Sequence, residues 1–195
     1  MLMEYNTVQE WMERHESRPE TKEERLQRFW SAKWNLYWSA VDKMAEGKKH
    51  QYRGFGVGAA TLAFRPDKHI WGGQAKIFTG FNSKEKPNSQ KHCAEKRIFE
   101  SATASGYVQL VGLVVVGPYQ PDDFSHHECS TLHPCKQCRD MMRNHPLAWP
   151  EMPILTALPP PEGILESLLP RWEPICELHM LKEILEIHER VTNCP

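Results

Sequence analysis

The residues of this chain that could do chemistry fall in two short runs. Cys135 and Cys138 enclose Lys136 and Gln137 in a Cys-x-x-Cys spacing. That spacing is one helical turn, and the run reads as a helix N-terminus, where unpaired N–H groups and the helix dipole favour thiolates. Two metal ligands are thereby prepared. A closed structural zinc site takes four protein ligands, often from a second such pair, and the chain has no second pair. A catalytic zinc site takes three and leaves a position for water. Cys93, at the start of another predicted helix, is the best third ligand, because Glu95 follows it closely enough to bring a carboxylate near the metal without binding it. Of the other cysteines, Cys129 reads as a loop thiol, Cys176 as buried and Cys194 as a free tail thiol. His126, His127 and His133 read as surface or neighbouring histidines rather than ligands. Six cysteines would also suit three disulfides, but the close pair favours metal or redox chemistry in a reducing compartment.

Several elements must hold these residues in place. Residues 1–22 are polar and weakly periodic and read as a leader, with 23–195 as one domain. Apolar side chains recur every three or four positions from Glu23 to Glu46, predicting an amphipathic helix that ends at Gly47 and uses its Trp and Tyr residues in the core or a subunit contact. Val57 to Phe64 and Lys76 to Phe81 read as paired strands joined by a Pro-Asp and Gly-Gly stretch. Cys93 to Ser105 reads as a helix stopped by Gly106, and Leu110 to Val116 as a strand buried on both faces. Pro118 to Leu132 reads as a polar loop, Cys135 to about His145 as a helix, and Met152 to Leu158 as a strand. Pro159 to Pro161 is a rigid connection, and Glu177 to Val191 predicts a closing amphipathic helix. This order describes an α/β domain with helices on both sides of one sheet.

At 195 residues the chain suffices for one core, and 24 basic against 25 acidic residues leave a net charge of -1. No global field or basic run draws it to nucleic acid or an anionic membrane. No apolar run approaches the roughly 20 residues of a membrane-spanning helix, and no secretory signal opens the sequence. The expectation is a cytoplasmic protein.

Cys93-Ala94-Glu95 followed by Pro134-Cys135-Lys136-Gln137-Cys138-Arg139 resembles the Cys-Ala-Glu and Pro-Cys-x-x-Cys-Arg signature of the cytidine deaminases that bind zinc through three cysteines. Phe55-Gly56-Val57-Gly58-Ala59-Ala60 resembles that family's first strand, and Gly80-Phe81-Asn82 its second. Gly106-Tyr107 and the valine strand fall in register, so the resemblance covers about residues 25 to 190. It implies a three-layer α/β/α fold with a mixed, about five-stranded sheet. The implied reaction is hydrolytic deamination of a cytosine-type nucleoside or close analogue, as in pyrimidine salvage, with Zn2+ activating water. Glu95 would carry the proton from that water to the ring nitrogen and then to the departing amine. Phe55, Asn82 and Ala94 are the implied substrate contacts, Asn82 on the ribose. A homo-oligomer, with a tetramer favoured, is the implied assembly. The resemblance also disposes of His92 as a ligand: the related His-x-Glu motif places its ligand two residues before the Glu, and His92 stands three before Glu95.

The pattern breaks at the sugar side. The family carries a Glu two residues after its Asn, whereas this chain has Lys84 there and Glu85 one place late. A lysine suits an acidic or phosphorylated group, or else simply faces solvent. Three thiolates on zinc call for a nearby cation, and Lys96, Arg97 and Arg139 are at hand; Lys96 reads equally well as an ordinary solvated residue. Two other functions compete: a nucleic-acid deaminase, against which the near-zero charge argues, and an idle zinc fold, against which Glu95 argues.

Overall fold

The computed structural model describes residues 21–65, 74–119, 131–162 and 173–192, with side chains up to Ile187 in the last stretch. Most of the expected leader, together with His126, His127, Cys129 and Cys194, lies outside the described residues. Helix α1 spans Lys22–Lys49. It starts where Thr21 accepts from the Glu24 N–H while the Glu24 carboxylate accepts from the Thr21 N–H, a reciprocal cap that satisfies two otherwise orphaned donors. Strands β1 (Gly58–Arg65) and β2 (Gln74–Phe81) form an antiparallel pair. Helix α2 (Ala94–Ala104) leads into strand β3 (Gln109–Val116), and helix α3 (Lys136–Asn144) into strand β4 (Pro153–Ala157). Strand β5 (Cys176–Met180) and helix α4 (Leu181–Thr192) close the fold.

The sheet is mixed, in the order β2-β1-β3-β4-β5, with β3 and β4 as its parallel pair. Both faces are covered. On one, Phe29, Leu36, Tyr37, Ala40 and Met44 of α1 pack on Ala60, Val111, Val114 and Leu155. On the other, α2, α3 and α4 bring Ile98, Phe99, Met142 and Ile184 against Ala59, Leu113, Val115 and Ile154. The domain is thus a three-layer α/β/α sandwich with a five-stranded mixed sheet. A register shift between Leu62 and Ala63 skips Val111, so β3 carries a bulge.

The register places Phe81, Val116 and Ala157, the carboxyl ends of β2, β3 and β4, on one rim with the starts of β1 and β5. In α/β sheets the crevice beyond such carboxyl ends is where ligands bind. The segments leaving this rim carry Asn82, Cys93, His133 and Cys135.

Three readings of the sequence need correction. The closing helix starts at Leu181, not Glu177, because Cys176–Met180 is a strand pairing antiparallel with β4. Leu178, Leu181 and Leu185 recur at helical spacing and conceal the boundary, although Leu178 packs on the α1 face and Leu181 on the opposite one. Cys176 is exposed rather than buried, since it opens this edge strand. Gly47 does not end α1 but lies inside it: a Cβ there would stand 2.7 Å from Asn82 Oδ1, so the glycine lets the helix close on that side chain. Of the α1 aromatics, Tyr37 is fully buried, whereas Trp30 and Trp34 are 44% and 43% exposed. Among the described residues no helix is long and apolar enough to cross a membrane.

Candidate active site

Two helix N-termini make the site. Cys93 is the N-cap of α2 and Cys135 the N-cap of α3, with Cys138 in the first turn of α3. Both caps have extended backbone, which turns their side chains toward the helix ends. The sulfurs of Cys93 and Cys135 are 3.6 Å apart, as are those of Cys135 and Cys138, and all three lie within 4.8 Å of one another. Tetrahedral zinc with thiolates at about 2.3 Å separates its sulfurs by about 3.8 Å, so this group fits the ion without rearrangement. Cys93 and Cys138 are buried, and Cys135 is half-buried toward the cavity described below. Hydrogen bonds from Cys138 and then Cys93 hold the Cys135 thiol far down, while the same bonds push Cys138 and Cys93 up. A divalent cation would bind these sulfurs as thiolates and displace the protons they carry.

Glu95 stands in the first turn of α2 and is buried. Gly80 permits this, because a Cβ there would lie 2.3 Å from the Ala94 carbonyl and hold the start of α2 off β2. Burial pushes the Glu95 carboxyl up to about 7, the Cys135 charge adds to the rise, and the Glu95 N–H, the Cys138 thiol and Lys91 pull against it.

A cavity of about 330 Å³ opens onto these groups. Cys93, Ala94, Glu95 and Cys135 line it together with Phe55, Asn82 and Lys84. Asn82 is buried and cross-ties the cavity wall: its Oδ1 accepts from the Val57 N–H at 2.7 Å and its Nδ2 donates to the Phe55 carbonyl at 2.8 Å. A primary amide has a second N–H and a second lone pair beyond these two bonds. Lys84 pairs its backbone with His50 and Tyr52, and its ammonium lies 5.8 Å from the Tyr52 ring centre. Glu85 is exposed.

The cations sort differently from their order in sequence. Arg97 is committed to Ser83 Oγ at 2.7 Å and lies over the Phe81 ring, and Lys96 is half-exposed, 3.7 Å from Glu100. Arg139 is buried, donates to the Pro134 carbonyl at 2.6 Å and is drawn down by burial against the opposing field of Cys135. Lys91, which sequence reasoning missed, lines the cavity beside Cys93. Burial draws its ammonium down, but the fields of Cys135, Cys93, Cys138 and Glu95 outweigh that and raise it overall. Its position two residues before Cys93 was the only signal available. His92 is placed in a separate cleft with Arg97 and Phe81.

A second polar group borders the cavity at His133. His133 Nε2 is 3.2 Å from Glu177 Oε2, and His179 Nε2 is 3.9 Å from the same oxygen. Thr131 Oγ1 donates to that oxygen at 2.8 Å.

No family model and no curated protein matches the chain. Solved structures of cytidine deaminases are similar to it. The enzyme from Burkholderia pseudomallei is 20% identical with a TM-score of 0.49, over 76% of this chain and 94% of that one. The enzyme from Mycobacterium leprae is 22% identical with a TM-score of 0.49, over 78% and 96%. The enzyme from Mycobacterium tuberculosis is 27% identical with a TM-score of 0.44, over 62% and 82%.

Proposed function

We propose that this protein is a zinc-dependent hydrolytic deaminase acting on a cytosine-type nucleoside or close analogue. The reading rests on one observation above all: the buried Glu95 lines a cavity of nucleoside size together with Cys93 and Cys135, two of the three cysteines whose sulfurs are spaced for zinc. Cys93, Cys135 and Cys138 would hold the ion, which supplies Lewis acidity and a water made nucleophilic near neutral pH. Glu95 would move two protons in turn, the first from the attacking water to the ring nitrogen and the second from the newly added hydroxyl to the leaving amine; a carboxyl poised close to the working pH serves both transfers. Lys91 and Arg139 offset the charge of three thiolates, which would otherwise blunt the ion's pull on water. Phe55 and Ala94 form walls for the ring, and Asn82 offers its remaining amide valences to the sugar. Lys84 favours a substrate with an anionic group at the sugar end.

Ammonia release from a panel of nucleosides, nucleotides, aminopyrimidine nucleoside analogues and single-stranded DNA tests this reading. The expected result is turnover of a small nucleoside-type substrate, with plain cytidine inferior to an anionic analogue. Glu95→Gln should lower turnover by roughly 10² to 10⁴ while zinc stays bound. Activity confined to single-stranded DNA, or a Glu95→Gln variant within a few-fold of wild type, would refute it.

A further inference from the structure

We infer that His133, Glu177 and His179 form a second metal site, distinct from the three cysteines, that takes a divalent first-row transition metal through two imidazoles and a carboxylate. Glu177 and His179 are alternate residues of β5, so their side chains share one face of the sheet. That face is the one α2 and α3 cover, because His179 pairs with Ile154 and Glu177 with Thr156, and Ile154 belongs to the core beneath those helices. His133 reaches the pair from the segment before α3, with its side chain 1% exposed. One potential donor from each residue lies within 4.8 Å of the other two.

Three features point to an ion rather than to packing. Ligands at about 2.0 to 2.2 Å from a tetrahedral ion stand roughly 3.3 to 3.5 Å apart. The two nitrogen-to-oxygen distances, 3.2 and 3.9 Å, bracket that range. His179 Nε2 is buried with no hydrogen-bond partner among the described residues, a costly state for a polar atom unless something of opposite character meets it. The carboxylate oxygen is also oriented from outside the group: Thr131 Oγ1 donates to it and lies 2.6 Å from Thr156 Oγ1. Carboxylates that bind metals are held by such outer hydrogen bonds. Two imidazoles and a carboxylate suit zinc, cobalt, nickel or ferrous iron, whereas calcium and magnesium prefer all-oxygen sites.

Cobalt(II) titration of the full-length, metal-stripped, reduced protein distinguishes the two sites. Cobalt on cysteine sulfur gives an intense thiolate charge-transfer absorption, and cobalt on nitrogen and oxygen gives only weak visible bands. We expect two equivalents in the wild type, of which only one raises the charge-transfer band. His179→Gln and Glu177→Gln should each lose one equivalent and keep that band at full intensity, which also reports that α2 and α3 remain folded. Because the cysteine group contains no imidazole, hyperfine-shifted imidazole N–H proton resonances in the wild type should appear only with the second equivalent. This measurement decides the matter even if a variant fails to fold. Saturation of the wild type at one equivalent, absence of shifted imidazole resonances, or two equivalents retained in His179→Gln would overturn the inference. The readouts are metal content and spectra, so the outcome is independent of whether the protein deaminates nucleosides.

Discussion

Two polar clusters on the same helix-covered face of the sheet solve the problem of charge in opposite ways. At Cys93, Cys135 and Cys138, three thiols and the Glu95 carboxyl converge, and compensation is imported: two helix N-termini, Lys91 and Arg139 supply the positive potential. At His133, Glu177 and His179 a single carboxylate lies between two imidazoles and is held by the Thr131 hydroxyl, so only one acidic group is gathered there. An excess of negative charge makes a site grip a cation tightly, and it makes the empty site expensive to bury. A group with one carboxylate grips less and costs less when empty. The cysteine pole should therefore dominate metal binding and pH dependence, and the histidine pole should respond to small changes in geometry.

The sharpest way to break the comparison is to remove one member of the charged pole. Cys93→Ala should leave zinc well below one equivalent at the cysteine group, abolish the cobalt charge-transfer band and reduce ammonia release to background. The equivalent bound through nitrogen and oxygen should persist. Full zinc retention with an unchanged band would show that Cys93 is not a ligand.

The two poles also differ in how far they could be read from the sequence. Cys135 and Cys138 advertise themselves because both come from one helical turn, and Cys93 is tied to Glu95 by a two-residue offset; helix N-termini turn such local spacings into three-dimensional contacts. The layered α/β architecture was legible for the same reason, from the periodicities of α1 and the valine run of β3. The second pole was hidden. Its residues are 44 and 46 positions apart across the His133–Glu177 and Thr131–Glu177 contacts, and only pairing between β4 and β5 brings them together. Five residues of edge strand are too short to override the leucine spacing that runs on into α4. Lys91 went unseen because a lone lysine before a ligand has no spacing rule, and Gly47 looked like a helix stop because its actual task, making room for Asn82, depends on a contact across the fold.

A smaller effect measures the burden of burying negative charge at the first pole. The Glu95 carboxyl rises from 4.5 to about 7 on folding, chiefly through burial. The native state therefore prefers the protonated form: stability from this group is complete below pH 4.5 and is lost as pH rises through about 7. Glutamine mimics the protonated acid. In the metal-free, reduced protein, Glu95→Gln should match wild type near the acid end and exceed it above neutrality by roughly 3 kcal/mol. Urea unfolding at several pH values reads this directly. A constant difference across that window would mean that the carboxyl is not strained by burial, and the contrast in charge between the two poles would lose its main support.

The smallest predicted effect falls on the second pole and asks how finely its geometry is set. Thr131 Oγ1 donates to Glu177 Oε2, and its one proton is then spent, so the 2.6 Å contact with Thr156 Oγ1 must have Thr156 as donor. The hydroxyls form a directed chain from Thr156 through Thr131 to the carboxylate. Thr131→Val keeps the shape of the side chain but breaks both links, leaving Thr156 only its 3.5 Å contact with the Glu177 carbonyl. Loss of one buried, charge-assisted bond should cost about 1 to 3 kcal/mol in stability. With the carboxylate no longer steered, affinity for the second cobalt equivalent should fall by about tenfold, toward the low end of what outer hydrogen bonds contribute. The thiolate charge-transfer band should not move, because no member of the chain touches a cysteine sulfur. A variant that weakens both equivalents together would instead show that the two poles share their geometry, through the short segment from His133 to Cys135, and act as one site.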